Sequence, residues 1–139
     1  MLYPAINLFV SPNPLELLYY MKLSMSIFFC LRCSISNSRR FAGIVDISPH
    51  HNPKNKELSY QFLSSLWGKG YAYEVTNSVL QYCINVLDIH FLVSETQTAN
   101  VKSCRLLEKL GFKQSEKIIR FGSEQSIYVI DLLSRIKSE

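Results

Sequence analysis

Between residues 57 and 95 the chain sets an alternating apolar segment, a Gly68-Lys69-Gly70 turn and an amphipathic helical segment ahead of a second short apolar run. Few folds accept that order. Leu58, Tyr60 and Phe62 alternate with polar neighbours until Leu63, which predicts a half-buried strand over 57–63. Ala72, Val75, Val79, Cys83 and Val86 recur at helical spacing and predict one amphipathic helix to about Leu87. His90 to Glu95 then reads as another strand. Strand, helix and strand in this sequence predict a right-handed crossover between parallel neighbours. The two glycines let main-chain N–H groups approach an anion, and the first turn of the helix adds donors and the positive end of its dipole. A pyrophosphate fits such a turn. A plain tight strand-to-helix connection has the same glycines, and the pair alone does not separate the two readings.

The remaining segments frame this unit. Asn13-Pro14-Leu15-Glu16 resembles a capping box with proline at the first helical position, predicting a short helix to about Ser24. Ile27 to Ile35 and Phe41 to Ile47 are apolar runs joined by Ser36-Asn37-Ser38-Arg39, a hairpin pattern, and 49–56 is a polar connection. A helix over 100–110 ends at Gly111, which suits the left-handed position past a helix, with Phe112 folding back on Leu107 and Lys109 in the last turn. Ile118 to Phe121 and Ile127 to Leu132 predict a second hairpin around Gly122-Ser123.

With 139 residues, 47% of them hydrophobic and 19% charged, the chain reads as a single folded domain over 1–139. The net charge of +4 is dispersed, Arg39-Arg40 being the only basic dipeptide, so no nucleic-acid stripe is expected. Cys30 and Cys33 form a C-x-x-C without a second pair. In a strand, residues three apart point to opposite faces, so no metal site is expected and the cysteines favour a reducing compartment. Glu16 and Lys22 interrupt the apolar stretch from Leu15 to Leu31, and no basic segment precedes it, so a membrane span or signal peptide is not expected and a cytoplasmic location is.

Taken together, Glu57-Leu58-Ser59-Tyr60, Trp67-Gly68-Lys69-Gly70-Tyr71-Ala72 with Glu74 beyond, and Asn100-Val101-Lys102-Ser103 through Leu107-Glu108-Lys109-Leu110-Gly111-Phe112 carry a resemblance. They are similar to the GNAT superfamily of acetyl-CoA-dependent N-acetyltransferases, and within it to the branch that acetylates the N-termini of ribosomal proteins, over about residues 27–132. The resemblance implies an α+β fold with a central mixed β-sheet flanked by helices. Its first two strands of the crossover part into a V-shaped slot for the pantetheine arm of acetyl-CoA. Main-chain groups near Phe62 and Leu63 would bind the arm, Trp67 would flank it, Gly68, Lys69, Gly70, Tyr71 and Ala72 would take the pyrophosphate, and Asn100 would bond the arm from the other side. The implied reaction is direct attack by a primary amine, carried by a small molecule or a protein N-terminus.

Acyl transfer to an amine needs an uncharged nucleophile, donors for the developing oxyanion and a proton for the departing thiolate. Glu57 matches a family glutamate and can take the amine proton; a solvated carboxylate at a strand end reads the same way. An N–H beside Phe62 is the oxyanion donor. The helix tyrosine that protonates the thiolate in many members is replaced here by Leu107, and Ser103, one turn earlier, is the substitute acid or a packing residue. Ser65 also departs from the family pattern. Most of the family's first strand and first helix is expected to be lacking, which leaves 27–35 with an unpaired apolar edge open to a second copy, and makes an inactive acetyl-CoA-binding or partner subunit the alternative. Trp67 is expected either on the cofactor or anchoring its loop in the core, His50-His51 as exposed loop residues, His90 as structural and Glu95 as a remote alternative base.

Overall fold

The computed structural model describes residues 6–8, 29–35, 41–52 and 54–137. The helix expected over 13–24 lies outside them. The chain forms β1 (Ile6–Leu8), β2 (Phe29–Ile35), β3 (Phe41–Pro49), β4 (Lys56–Phe62), a 3₁₀ turn (Ser64–Leu66), α1 (Tyr71–Asn85), β5 (Phe91–Gln97), α2 (Val101–Leu110), β6 (Lys113–Arg120), β7 (Ser123–Asp131) and α3 (Leu132–Lys137). The strands make one mixed sheet in the order β1-β2-β3-β4-β5-β7-β6. Every neighbouring pair is antiparallel except β4 and β5, which are parallel as the crossover requires. No helix among the described residues is long and apolar enough to cross a membrane.

Strand alternation sorts the side chains of β4 into two sets. Leu58, Tyr60 and Phe62 stand in register with Ile47, Val45 and Gly43 of β3, on the face where α1 and α2 lay Val75, Val79, Leu80, Leu107 and Leu110 into one core. Glu57 and Ser59 point to the opposite face, in register with Ser48 and Asp46. The apolar periodicity of α1 holds over its middle turns: Val75, Val79 and Cys83 are buried together with Thr76 and Leu80, Ala72 is partly buried, and Val86, past the end of the helix, is 52% exposed.

The end of α2 follows from Gly111. At φ 102° it holds the left-handed turn. Its N–H bonds to the Glu108 carbonyl and the Phe112 N–H to the Leu107 carbonyl, both at 3.0 Å, the two bonds of a Schellman cap. Phe112 is buried in the same core as Leu107.

Three expectations are corrected. The edge of β2 is not bare along its second half, because β1 pairs with it from Leu8↔Cys33 to Ile6↔Ile35. The last hairpin is longer than its apolar residues suggest: β6 starts at Lys113, and its residues 113–117 are all exposed, so burial imposes no alternation on them. Its turn is Phe121-Gly122, with φ of 55° and 73°, the left-handed pair favoured in two-residue hairpin loops. Leu132 opens α3 rather than ending a strand, since the Asp131 carboxylate accepts from the N–H groups of Leu133 and Ser134 at 3.0 and 3.3 Å and so caps the helix.

Candidate active site

β4 and β5 stay paired at a single register position, Glu57↔Val93, and part beyond it. Ser94 Oγ, donating to the Leu58 carbonyl at 2.9 Å, is the last tie across them. The gap that opens is a cavity of about 800 Å³ lined by consecutive residues of β4 from Leu58 to Phe62 and of β5 from Ser94 to Thr96. Because neighbours in a strand face opposite ways, the cavity passes between the strands and reaches both faces of the sheet.

At its far end the cavity meets Trp67, Gly68, Gly70, Tyr71 and Ala72. Gly70 is the cap residue of α1 at φ 81°, and no side chain caps the first turn. Among the described residues the leading N–H groups of α1 therefore find no side-chain acceptor and face the cavity, which is the donor arrangement an anion requires. Gly68, at φ 77°, has open space where a side chain would stand. Lys102, Arg105 and Lys109 line the opposite wall from α2. A long, phosphorylated cofactor such as acetyl-CoA fits this shape and this donor set.

Eight of the residues singled out from the sequence come together on the cavity wall: Phe62, Trp67, Gly68, Gly70, Tyr71, Ala72, Asn100 and Ser103. Leu63 and Lys69 are exposed and stand off it. Trp67 does not anchor its loop in the core. It is 55% exposed, its indole N–H donates to the Phe62 carbonyl at 3.0 Å, and Lys102 Nζ lies 5.3 Å from its ring centre. Asn100 spends its side-chain oxygen on the helix it starts, accepting from the Ser103 N–H at 3.2 Å, so its NH₂ group is what it can offer a ligand. Leu107, fully buried, presents nothing to the cavity.

Glu57 stands where the strands are still joined, on the face opposite α1 and α2. Burial pushes its carboxyl up to about 7, with the nearby Glu95 adding to the effect, while a bond from Ser59 and the Arg120 charge work against it. A carboxyl balanced near neutral pH can both take and release a proton.

Glu95, expected near the slot as an alternative base, lines the cavity. Its side chain is 7% exposed. Its Oε2 accepts from His50 Nε2 at 3.0 Å and from Arg120 Nη1 at 2.9 Å, and its buried Oε1 has no partner among the described residues. His50, expected in an exposed loop, is buried because the His50–Asn55 segment closes on itself, the His50 N–H bonding to the Asn55 carbonyl at 3.0 Å. The Asn52 N–H approaches His50 Nδ1 at 3.4 Å, which assigns the ring proton to Nε2. Burial lowers the His50 pKa and keeps the ring neutral, with Nε2 also 3.8 Å from Glu57 Oε2. His51 remains at the surface, and His90 pairs with Asp88.

His50, His51 and Glu95 bring ligand atoms within 4.8 Å of one another, a spacing that can hold a metal ion. The Arg120 guanidinium already sits there, 2.7 Å from His51 Nδ1 as well as 2.9 Å from Glu95. A metal would have to displace that cation, so the residues fit an ion-pair network better than a metal centre.

Sequence reasoning missed Tyr60, His50 and Arg120 as site residues. Tyr60 carried a signal, since it alternates with Leu58 and Phe62 on the helix-facing side; its phenol oxygen lies 2.6 Å from Ser103 Oγ. Arg120 carried none, because its partner Glu95 is far away in the chain and only the β5-β7-β6 order brings them together.

The family model for the acetyltransferase (GNAT) domain matches residues 21–113, more than half of the chain. An uncharacterized N-acetyltransferase of Bacillus subtilis (strain 168), YnaD, is 28% identical over 71 residues, 49% of this chain and 42% of its own length. Another from Bacillus licheniformis, p20, is 29% identical over 84 residues, 57% and 47% of the two lengths. The chain spans about half the length of these relatives. In fold it is similar to ribosomal-protein-S5-alanine acetyltransferase from Vibrio fischeri, with a TM-score of 0.71 at 18% identity over 84% of this chain and 67% of that one. A mutant of spermidine N-acetyltransferase SpeG from Vibrio cholerae superposes with a TM-score of 0.73 at 17% identity over 89% and 76%. With its parted parallel strands and glycine turn, and by its match to the family model, the chain belongs to the GNAT acetyltransferase family.

Proposed function

We propose that this protein transfers an acetyl group from acetyl-CoA to a primary amine by direct attack. The observation that carries the reading is the cavity between β4 and β5, which runs from the uncapped start of α1 to Glu95 at its other end, with Glu57 off its wall at the position where the strands still pair. Bound acetyl-CoA would supply the activated acetyl thioester. The N–H groups from Gly68 to Ala72 would hold the pyrophosphate, the parted edges of β4 around Phe62 and Leu63 would bond the arm as a neighbouring strand does, and Lys69, which stands off the cavity, would add charge at its rim.

The two faces of β4 divide the proton chemistry. Glu57, on the face away from α1 and α2, takes the proton of the attacking amine. Its raised pKa leaves it partly ionised near neutral pH and makes it a competent base there. Glu95 Oε1, buried and without a partner among the described residues, offers an acceptor for a second amine hydrogen. An N–H beside Phe62 meets the charge that develops on the acyl oxygen. Ser103, on the helix face of the cavity, would give the departing sulfur its proton. Base and acid then sit on opposite sides of the reacting carbon and do not neutralise one another.

The acceptor is an amine of a small molecule or of a protein N-terminus; the branch resemblance favours ribosomal-protein N-termini, and the fold is shared with a spermidine acetyltransferase. The test is thiol release from acetyl-CoA by purified protein against a panel of N-terminal peptides, polyamines and amino acids. Amine-dependent release that disappears in Glu57→Gln supports the reading. Acetyl-CoA binding without turnover on any class of amine would overturn it.

A further inference from the structure

Helix α2 contains no tyrosine and supplies no phenol to the cavity, and its Leu107 is fully buried in the core. A phenol reaches the same place from the other wall. Tyr60, on the helix-facing side of β4, puts its OH 2.6 Å from Ser103 Oγ and 3.4 Å from the Ser103 carbonyl, and both residues line the cavity. This is the one hydroxyl pair among the described residues that spans from β4 to α2 across the gap.

We propose that Tyr60 is a positioning and relay residue for the acid step: it donates to Ser103 Oγ, turns the Ser103 O–H toward the departing sulfur, and replenishes the proton that Ser103 gives up. The proposal rests on the acetyl-CoA reading above. As the carbon–nitrogen bond forms, the carbon–sulfur bond breaks. The sulfur takes its proton from Ser103 Oγ, Ser103 takes that of the Tyr60 phenol, and water returns one to Tyr60. The amine proton goes to Glu57 and from there to water, so the enzyme ends each cycle as it began.

The surroundings suit a donor. Burial, partly offset by the bond to Ser103, raises the Tyr60 pKa, and the neighbouring Cys104 adds to the rise, so the phenol stays protonated through the neutral range. A serine alone is a poor acid; a hydroxyl that receives a short bond from a phenol is polarised in the required direction. The other titratable or charged groups facing this space are Cys104, Lys102, Arg105 and Lys109 of α2, Tyr71 and Tyr73 of α1, and Glu95 of β5. They act alike on two ligands that share the same phosphates and arm. The test must subtract them.

Coenzyme A and desulfo-coenzyme A, which has the same phosphates and arm but no thiol, are titrated calorimetrically into the protein from pH 6 to pH 10. The ratio of the two affinities isolates the sulfur. If Ser103 and Tyr60 donate to a thiolate, the ratio rises with pH by about tenfold in the wild type, the size of one bond to a charged group. It stays nearly flat in Tyr60→Phe, in Ser103→Ala and in the double variant, the double matching either single because the pair acts as a unit. A rise of wild-type size in Tyr60→Phe, or in Ser103→Ala should the first variant not fold, overturns the proposal. Failure of both ligands to bind the wild type removes the acetyl-CoA reading itself, a result distinct from binding with an unchanged ratio.

Discussion

Arg120 donates to Glu95 at 2.9 Å, and through that contact a residue at the end of β6 sets the charge felt by Glu57 on β4. Glu95 raises the Glu57 pKa and Arg120 lowers it. The proposed base, Glu57, must be ionised to accept a proton, so activity should climb through its pKa of about 7 as pH rises. Glu95→Gln removes a neighbouring negative charge and should move that limb of the kcat/KM profile to lower pH. Arg120→Met removes the compensating positive charge and should move it to higher pH. Profiles of the two variants that shift in the same direction would show that Glu57 is not the titrating group.

Glu57→Gln separates catalysis from stability. It should lower kcat by about 10²–10⁴-fold. The folded pKa lies above the ordinary carboxyl value of 4.5, so the native state holds the Glu57 proton more tightly than the unfolded chain. That stabilisation is complete below 4.5 and is lost as pH rises through about 7. The neutral variant should therefore melt on the order of 5 °C above wild type at pH 8 and alongside it at pH 4.5. Thermal melts at the two pH values check the sign.

Gly70→Asp puts a β-carbon at φ 81° and a carboxylate against the uncapped start of α1. Both changes oppose an anion there. Acetyl-CoA affinity should fall by roughly tenfold or more, with the far-UV spectrum unchanged. Equal affinity would take the turn out of the site.

Gly43 lies behind the cavity wall, in register with Phe62. A β-carbon there would fall 2.3 Å from the Gln61 carbonyl oxygen and 2.7 Å from Phe62 Cδ1, too close for either to remain in place. Gly43→Ala should cost about 1–3 kcal/mol in denaturant unfolding and weaken acetyl-CoA binding, because β4 can only move toward the gap.

What could be read from the chain was local. The alternation in β4, the apolar stripe of α1 and the Gly111-Phe112 helix end are each decided by a few adjacent residues, and each stands as the spacing implies except at Val86, which lies exposed beyond the end of α1. The glycine turn and Asn100 likewise lie on one cavity because a strand-helix-strand crossover has one hand. Segments without apolar alternation were harder: 113–117 is polar throughout yet pairs with β7. Loop residues were harder still. His50 is buried only because the short loop after β3 turns it toward Glu95, and neither the loop closure nor the contact has a sequence period. Arg120 and Glu95 meet through the strand order, which puts β7 between β5 and β6. Tyr60 was visible as a core-facing residue and not as a site residue, because its partner Ser103 comes from a helix packed later in the chain.

In the proposed function the gap between β4 and β5 holds acetyl-CoA with its phosphates on the glycine turn. Calorimetric titration of acetyl-CoA into wild type, Glu57→Gln and Gly70→Asp tests it most directly. Wild type should bind saturably and one-to-one, Glu57→Gln with similar affinity, and Gly70→Asp markedly more weakly. No saturable heat with the wild type, or full affinity in Gly70→Asp, would contradict it.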